Sequence, residues 1–157
     1  MKAVHLLLLM LISVNLFACK SDETQVIEPN IQESNIQNVD SMKLKISVGS
    51  NVFTATLNNN ATATAFRATL PITINMSELN GNEKYFDLSY SLPTNALNPG
   101  TIQTGDLMMY GANTLVLFYK TFSTSYNYTR LGRINNPSGL AAILGSGNVT
   151  VTFDLSK

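Results

Sequence analysis

A hydrophobic segment near the middle of the chain predicts a strand that is buried on both of its faces. Residues 115–119 read LVLFY, without a polar position other than the tyrosine hydroxyl. The run is too short for an amphipathic helix and is bounded by turn residues, which favours a strand. With Asp106–Tyr110 before it and a turn at Gly111–Asn113, it predicts a β-hairpin whose second arm is Thr114–Tyr119. We expect this hairpin at the centre of a small β-barrel.

Shorter segments alternate apolar and polar residues, which is the period of a strand buried on one face. This alternation, or a short apolar run, predicts strands at residues 44–48, 53–57, 72–76, 85–88, 131–134 and 149–155. Helical spacing predicts two short helices. The first lies between Asn60 and Pro71 with Phe66 on its apolar face, and the second begins with Pro137 and ends at Gly145.

Two segments show neither period and are predicted to be connections. Residues 91–103 contain Pro93, Pro99 and Gly100 and are interpreted as a long loop. Residues 121–128 are rich in Ser, Thr and Tyr, too polar for a core strand and too aromatic for a disordered linker. The pattern as a whole predicts one all-β domain over residues 42–157, with about eight strands and two short helices.

The N-terminal residues 1–18 have the features of an export signal. Met1–Lys2 is a short positive region, and residues 4–14 are almost wholly apolar but too short to span a bilayer. The following LFAC, residues 16–19, resembles the lipobox of bacterial lipoproteins. The resemblance implies cleavage before Cys19 and acylation of that residue. An ordinary secretory signal or a membrane helix is the alternative.

Lipidation at Cys19 would make the membrane a partner of this protein, since each buried CH₂ of an acyl chain contributes about 0.8 kcal/mol. Residues 19–41 are polar and are interpreted as a flexible tether, with a transient helix left open. Residues 20–23, KSDE, resemble the export signal of surface lipoproteins in Bacteroidetes, and Asp40–Met42 resembles an O-glycosylation motif of that group. We expect a lipid anchor on the outer membrane of a bacterial cell envelope, at its periplasmic face or at the cell surface.

The composition of the chain argues against several classes of function. The formal net charge is zero, and the domain is only weakly basic, which does not suggest nucleic acid as a partner. Cys19 is the only cysteine and His5 the only histidine, so the processed chain has neither a disulfide nor a histidine base for Ser-His-Asp catalysis. No metal site, P-loop or cofactor is predicted. Glu78 and Glu83 could be paired carboxylates for glycoside hydrolysis, although a solvated turn is the simpler explanation.

Three segments together resemble a bacterial cyclophilin-like domain family. They are NGNEKYFDLSYSLPTN at residues 80–95, GDLMMYG at residues 105–111 and FSTSYNYTRLGRI at residues 122–134. The resemblance extends over residues 42–155 and implies a closed eight-stranded β-barrel capped by two helices. It implies no established activity, and no flavin-binding loop accompanies it.

Peptidyl-prolyl isomerase activity is the alternative function. Residues 101–107, TIQTGDL, resemble the cyclophilin strand whose glutamine precedes a Gly-Asp pair, which would make Gln103 that glutamine. The expected Arg and Phe are missing, since Asn98–Gly100 stands before it, and the chain contains no Trp. An isomerase would therefore need a non-standard site with an Arg that this resemblance does not identify.

Polar and aromatic residues of two segments form the candidate ligand-binding site. The predicted residues are Glu83, Lys84, Tyr85, Tyr119, Phe122, Tyr126 and Arg130. If the barrel brings the two segments together, they make an aromatic pocket with one acid and two bases, suited to a peptide or a small amphipathic ligand. Arg130 is the predicted partner of any ligand charge. In the alternative, the tyrosines fix a long loop on the barrel and Glu83 pairs with Lys84 or Arg130.

Overall fold

The computed structural model describes residues 42–156, so the predicted signal peptide, lipidation site and tether lie outside the described residues. Within this range the strands are β1 (Lys43–Val48), β2 (Asn51–Leu57), β3 (Ile72–Leu79), β4 (Glu83–Asp87), β5 (Thr101–Ile102), β6 (Asp106–Tyr110), β7 (Thr114–Phe118), β8 (Phe122–Ser123), β9 (Thr129–Ile134) and β10 (Val149–Leu155). The helices are α1 (Ala61–Arg67) and α2 (Leu140–Leu144). None of the helices in residues 42–156 is long and apolar enough to cross a lipid bilayer.

Eight of these strands close into a barrel. Their order around the wall is β1, β10, β3, β4, β7, β6, β9 and β2, and each strand pairs antiparallel with its neighbours. The remaining strands, β5 and β8, form a separate two-stranded sheet. The predicted fold class, a closed eight-stranded barrel with two short helices, is confirmed.

The interior of the barrel is filled by the inward-facing residues of its strands and by apolar side chains of both helices. On β1 these are the buried residues Leu44, Ile46 and Val48. The α1 residue Phe66 is fully buried, and its ring meets that of Phe153 edge to face, with centroids 6.0 Å apart. Each large side chain buried in this way contributes about 1.5–3 kcal/mol to folding.

The hairpin of β6 and β7 is buried on both faces, as the sequence predicted. Leu115 and Leu117 belong to the barrel interior, whereas Val116 and Phe118 belong to a second apolar cluster on the outside of the wall. The fully buried Ile102, from the long loop, packs in that second cluster. An apolar run without alternation therefore reflects a barrel wall that is covered on its outside.

The two segments predicted to be connections cover the outside of the β6–β7 hairpin. The prediction that they contain no strand is wrong. Thr101 pairs with Ser123 and Ile102 with Phe122 in the β5–β8 sheet. Backbone hydrogen bonds of 3.0 Å in both directions link Leu97 to Tyr128. Strands of two residues are too short to produce a periodic pattern, so the sequence could not reveal them.

Both helices are shorter than predicted. The first helix ends at Arg67, four residues before Pro71. Beyond this end, the Thr69 N–H donates a 3.0 Å hydrogen bond to the Phe66 carbonyl. The second begins at Leu140 and not at Pro137, because Gly139 stands between them with φ of 78°, in the left-handed region. The cap of α1 is Asn60, the last of three consecutive asparagines that could each have capped it, and its side chain accepts a 2.8 Å hydrogen bond from the Ala63 N–H.

Candidate functional site

A groove lies on the outer face of the barrel wall, between β4, β7 and the loop that contains β8. Its volume is about 550 Å³, which is within the range of small-ligand sites. We call it the outer groove. It is lined by Leu79, Asn80, Asn82, Glu83, Tyr85, Asp87, Tyr110, Thr114, Val116, Phe122, Ser123, Thr124, Ser125, Tyr126 and Tyr128.

Alternate residues of β4 form the floor of the groove. Glu83, Tyr85 and Asp87 are alternate residues of β4, so their side chains lie on the same face of the wall. In the register of the sheet, Tyr85 stands opposite Val116 and Asp87 opposite Thr114. The Thr114 hydroxyl donates a 2.6 Å hydrogen bond to Asp87 Oδ1, which fixes this end of the floor.

Aromatic rings form the wall of the groove. Tyr128 packs edge to face on Phe118 with centroids 5.5 Å apart, and Tyr110 lies 5.7 Å from Tyr128 and 6.1 Å from Tyr126. Phe122 lies 5.8 Å from Phe118. Tyr128 is buried and holds its loop on the barrel, whereas Tyr126 is 61% exposed at the rim. Burial, with the nearby Glu83 charge, raises the pKa of Tyr128 to about 12, so its phenol stays neutral.

Glu83 is the buried acid of the groove. Its side chain is only 8% exposed, and no hydrogen bond or ion pair within residues 42–156 reaches its carboxylate. Burial and then repulsion from Glu78 raise its pKa to about 6. The preceding residue, Asn82, also lines the groove, and its side-chain oxygen is buried without a hydrogen-bond partner.

Lys84 and Tyr119 face the inside of the barrel. The ammonium group of Lys84 is fully buried; it pairs with the Glu78 carboxylate and donates hydrogen bonds of 2.9 and 2.6 Å to the carbonyls of Gly145 and Gly147. The Tyr119 hydroxyl donates a 2.7 Å hydrogen bond to the same carboxylate. Partial burial opposes the effect, but these hydrogen bonds and the Lys84 charge together lower the pKa of Glu78. Lys84 and Tyr119 therefore belong to a structural network.

Arg130 lies outside the groove beside the buried Asp106. Its Nη1 is 3.7 Å from Asp106 Oδ2, and the Nε of Arg133 is 3.6 Å from Oδ1 of the same carboxylate. The backbone N–H of Gln103 donates a 2.9 Å hydrogen bond to Asp106 as well. Neither guanidinium group lines the outer groove, and both lie against the carboxylate that the Gln103 N–H also reaches.

Of the predicted site residues, the groove brings together Glu83, Tyr85, Phe122 and Tyr126. It does not include Lys84, Tyr119 or Arg130, so it contains acids without the two expected bases. Other lining residues were not predicted from the sequence, among them Asp87, Tyr110 and Thr114. Extending the strand period of β4 from Glu83 by four residues would have found Asp87. The other two flank the hairpin turn and were assigned to the core hairpin.

The two acids proposed as a hydrolytic pair lie on different faces of the wall. Glu78 stands opposite Lys84 in the sheet and shares its inward face, whereas Glu83 stands opposite Leu79 and faces outward. Among residues 42–156, no group of three or more acidic, histidine or cysteine side chains is arranged to hold a metal ion. The groove itself offers hydrogen-bond acceptors and aromatic faces.

Comparison with known proteins gives a family and a fold. No curated protein matches the sequence. The solution structure of a hypothetical protein from Archaeoglobus fulgidus is similar, with a TM-score of 0.52 and 19% sequence identity over 73% of this chain and 95% of that chain. At that identity the likeness shows the fold alone. The sequence profile of the Cyclophilin-like family matches residues 46–154, and this chain therefore belongs to that family.

Proposed function

We propose that this protein is a lipid-anchored binding module, which uses its cyclophilin-like barrel to hold a peptide or a small amphipathic ligand in the outer groove. The observation that carries the proposal is the groove itself. It combines a volume of about 550 Å³ with an aromatic wall and a few polar groups, which is the usual composition of a ligand site.

The way in which the groove is built supports binding rather than simple loop packing. Tyr128 and Ile102 are buried and fasten the covering loops to the wall. Tyr126 and Tyr110 are 61% and 48% exposed and border an open space. Loop packing therefore accounts for the buried rings, and the exposed pair is available to a ligand.

A test of the groove is amide NMR of the purified protein against a library of short peptides and small aromatic compounds. We expect ligands whose shift changes cluster on β4, β7 and residues 122–128. In Ser125→Trp an indole would fill the groove, because Ser125 is an exposed residue of its lining. The matched control is Ser50→Trp, on the exposed turn between β1 and β2. Binding that persists in Ser125→Trp, or shift changes elsewhere, would contradict the proposal.

The lipid anchor is proposed from the sequence, on the LFAC motif at residues 16–19 and the apolar segment before it. In a bacterial host, the parent should incorporate an acyl label and sediment with membranes. Cys19→Ser should lose both properties, while Ser21→Ala, two residues away, should keep them. A parent protein that takes up no label would contradict the anchor without bearing on the groove.

A further inference from the structure

We infer that the ligand of the outer groove carries an alkylammonium group, which pairs with Glu83 while the apolar body of the ligand lies against the aromatic wall. The inference rests on the proposed function and specifies its ligand. It depends on the acceptors of the groove, on the absence of cations from its lining and on the neighbouring rings.

Glu83 is an acid that has no partner among the described residues. Glu83 is more than nine-tenths buried, lines the groove and receives no hydrogen bond or ion pair from any residue between 42 and 156. A carboxylate that loses most of its hydration without gaining a partner is costly, and natural proteins pair such groups. A cation that enters from the groove would supply the missing partner.

Neighbouring acceptors point the same way. The side-chain oxygen of Asn82, next to Glu83, is buried and unbonded. Asp87 adds a second carboxylate to the floor, with only Oδ1 engaged by Thr114. An ammonium group has three donors and no acceptor, so it can bond to several of these oxygens at once.

The cations of the described part of the chain do not pair with Glu83. No Lys or Arg is among the lining residues of the groove. Lys84 follows Glu83 directly but extends through the opposite face, where Glu78 and two carbonyls occupy its ammonium group. Lys120 approaches the turn before Glu83, with its Nζ 4.0 Å from the position that a Cβ on Gly81 would take, but no hydrogen bond or ion pair joins it to Glu83 within residues 42–156.

The aromatic wall suits a cation with an apolar body. Tyr85, Tyr110 and Tyr126 line the same cavity as Glu83. Ring faces attract ammonium groups, by about 0.5–1 kcal/mol at exposed sites and more when the pair is desolvated. The rings also bury the hydrocarbon part of the ligand, which a carboxylate floor alone would not hold.

A matched series of compounds tests the charge directly. The probes are 4-phenylbutylamine, 4-phenylbutanol and 4-phenylbutyrate, which share one apolar body and differ in the head group. Titration of the purified protein near neutral pH should give an amine that binds about tenfold or more tighter than the alcohol, with the carboxylate weakest. In Glu83→Gln the affinity for the amine should fall to that for the alcohol, and the affinity for the alcohol should be unchanged.

The control variant is Asp154→Asn, which removes an acid of β10 that pairs with Lys45 and does not line the groove. It should leave all three affinities unchanged. A measurement without a variant is the carboxyl carbon resonance of Glu83, whose apparent pKa should fall when the amine saturates the protein.

The outcomes separate the two proposals. Equal affinity for amine and alcohol, or an amine affinity unaffected by Glu83→Gln, overturns the inference of an alkylammonium ligand and leaves the binding module intact. If none of the three compounds binds while other ligands occupy the groove in the NMR screen, the inference of an alkylammonium ligand is overturned and the binding module is not. If the screen also finds no ligand, the proposed function fails with it.

Discussion

Glu83 and Lys84 are adjacent in β4 and extend to opposite faces of the barrel wall. Lys84 is fully buried inside, with one carboxylate and two carbonyl partners, whereas Glu83 is buried on the outer face and pairs with no residue between 42 and 156. The charge of the internal network and the charge to which we assign a ligand are thus neighbours in the chain, and no ion pair joins them.

Glu83→Gln should stabilise the protein at high pH and have no effect at low pH. The folded-state pKa of Glu83 is raised from 4.5 to about 6, so the acid contributes stability below pH 4.5 that is lost as the pH rises through 6. Glutamine resembles the protonated form. We expect the variant to unfold with a free energy about 1–2 kcal/mol higher than the parent near pH 8, and equal to it near pH 4.

Urea unfolding of both proteins across that range measures this difference. The titration of Glu78, whose pKa is lowered, is present in both proteins and largely cancels in the comparison. A difference that stays constant with pH would mean that Glu83 is not the titrating group.

Lys84→Met should be strongly destabilising. It leaves the carbonyls of Gly145 and Gly147 without their donor and Glu78 without its cation, in a network that joins β3, β4 and the segment after α2. Removing one partner of a buried ion pair costs about 3–5 kcal/mol.

The control for that variant is Lys45→Met, because Lys45 pairs with Asp154 at 3.3 Å on the surface, with side chains 44% and 37% exposed. Such pairs contribute about 0–1 kcal/mol, so this variant should change the denaturant midpoint little. Similar losses in the two lysine variants would rule out a special role for the internal network.

Gly132→Ala should disrupt the contact between β9 and β2. A Cβ at this position would lie 2.4 Å from the Thr56 carbonyl oxygen and 2.9 Å from Leu57 Cα, and both are backbone atoms of the paired strand. Overpacking against a backbone that cannot yield costs about 1–3 kcal/mol or more.

Gly147→Ala is the matched variant, since nothing lies within 4 Å of its Cβ position. Thermal unfolding should show a lower midpoint for Gly132→Ala than for Gly147→Ala. Equal midpoints would mean that the β2–β9 pairing relaxes without loss.

The affinity for 4-phenylbutylamine should fall as the pH drops through 6. Glu83 must be ionised to attract the amine, and about one in ten molecules retains that charge near pH 5. Of the other groups that influence it, Glu78 keeps its charge because its pKa is lowered, and Tyr119 and Tyr128 stay neutral with pKa values of about 12.

Titrations from about pH 8 to pH 5 should therefore show a loss of about tenfold for the amine. The affinity of 4-phenylbutanol should stay constant over the same range, because it carries no charge. Asp87, the second acid of the floor, has an exposed side chain. A pH-independent amine affinity would show that Glu83 does not hold the cation.

The hydrophobic pattern of the sequence predicted most of the strands, and the resemblance to the cyclophilin-like family predicted that they close into a barrel. Alternation in segments such as residues 44–48 and 149–155, with the unbroken apolar run at 115–119, is enough to predict half-buried and fully buried strands. The physical reason is local: side chains of a strand alternate between two faces, so burial of either face leaves a period along the chain.

The tertiary structure was needed to show which face of each strand lies inside the barrel. Alternation along β4 puts Lys84 on the face opposite to Glu83 and Tyr85, but only the pairing with β3 and β7 shows that the Lys84 face is the inner one. Tyr119 and Phe122 were grouped by proximity in the chain, and the wall separates them as well. Face and partner depend on pairing between distant strands and on the covering loops, and composition and spacing contain neither of these.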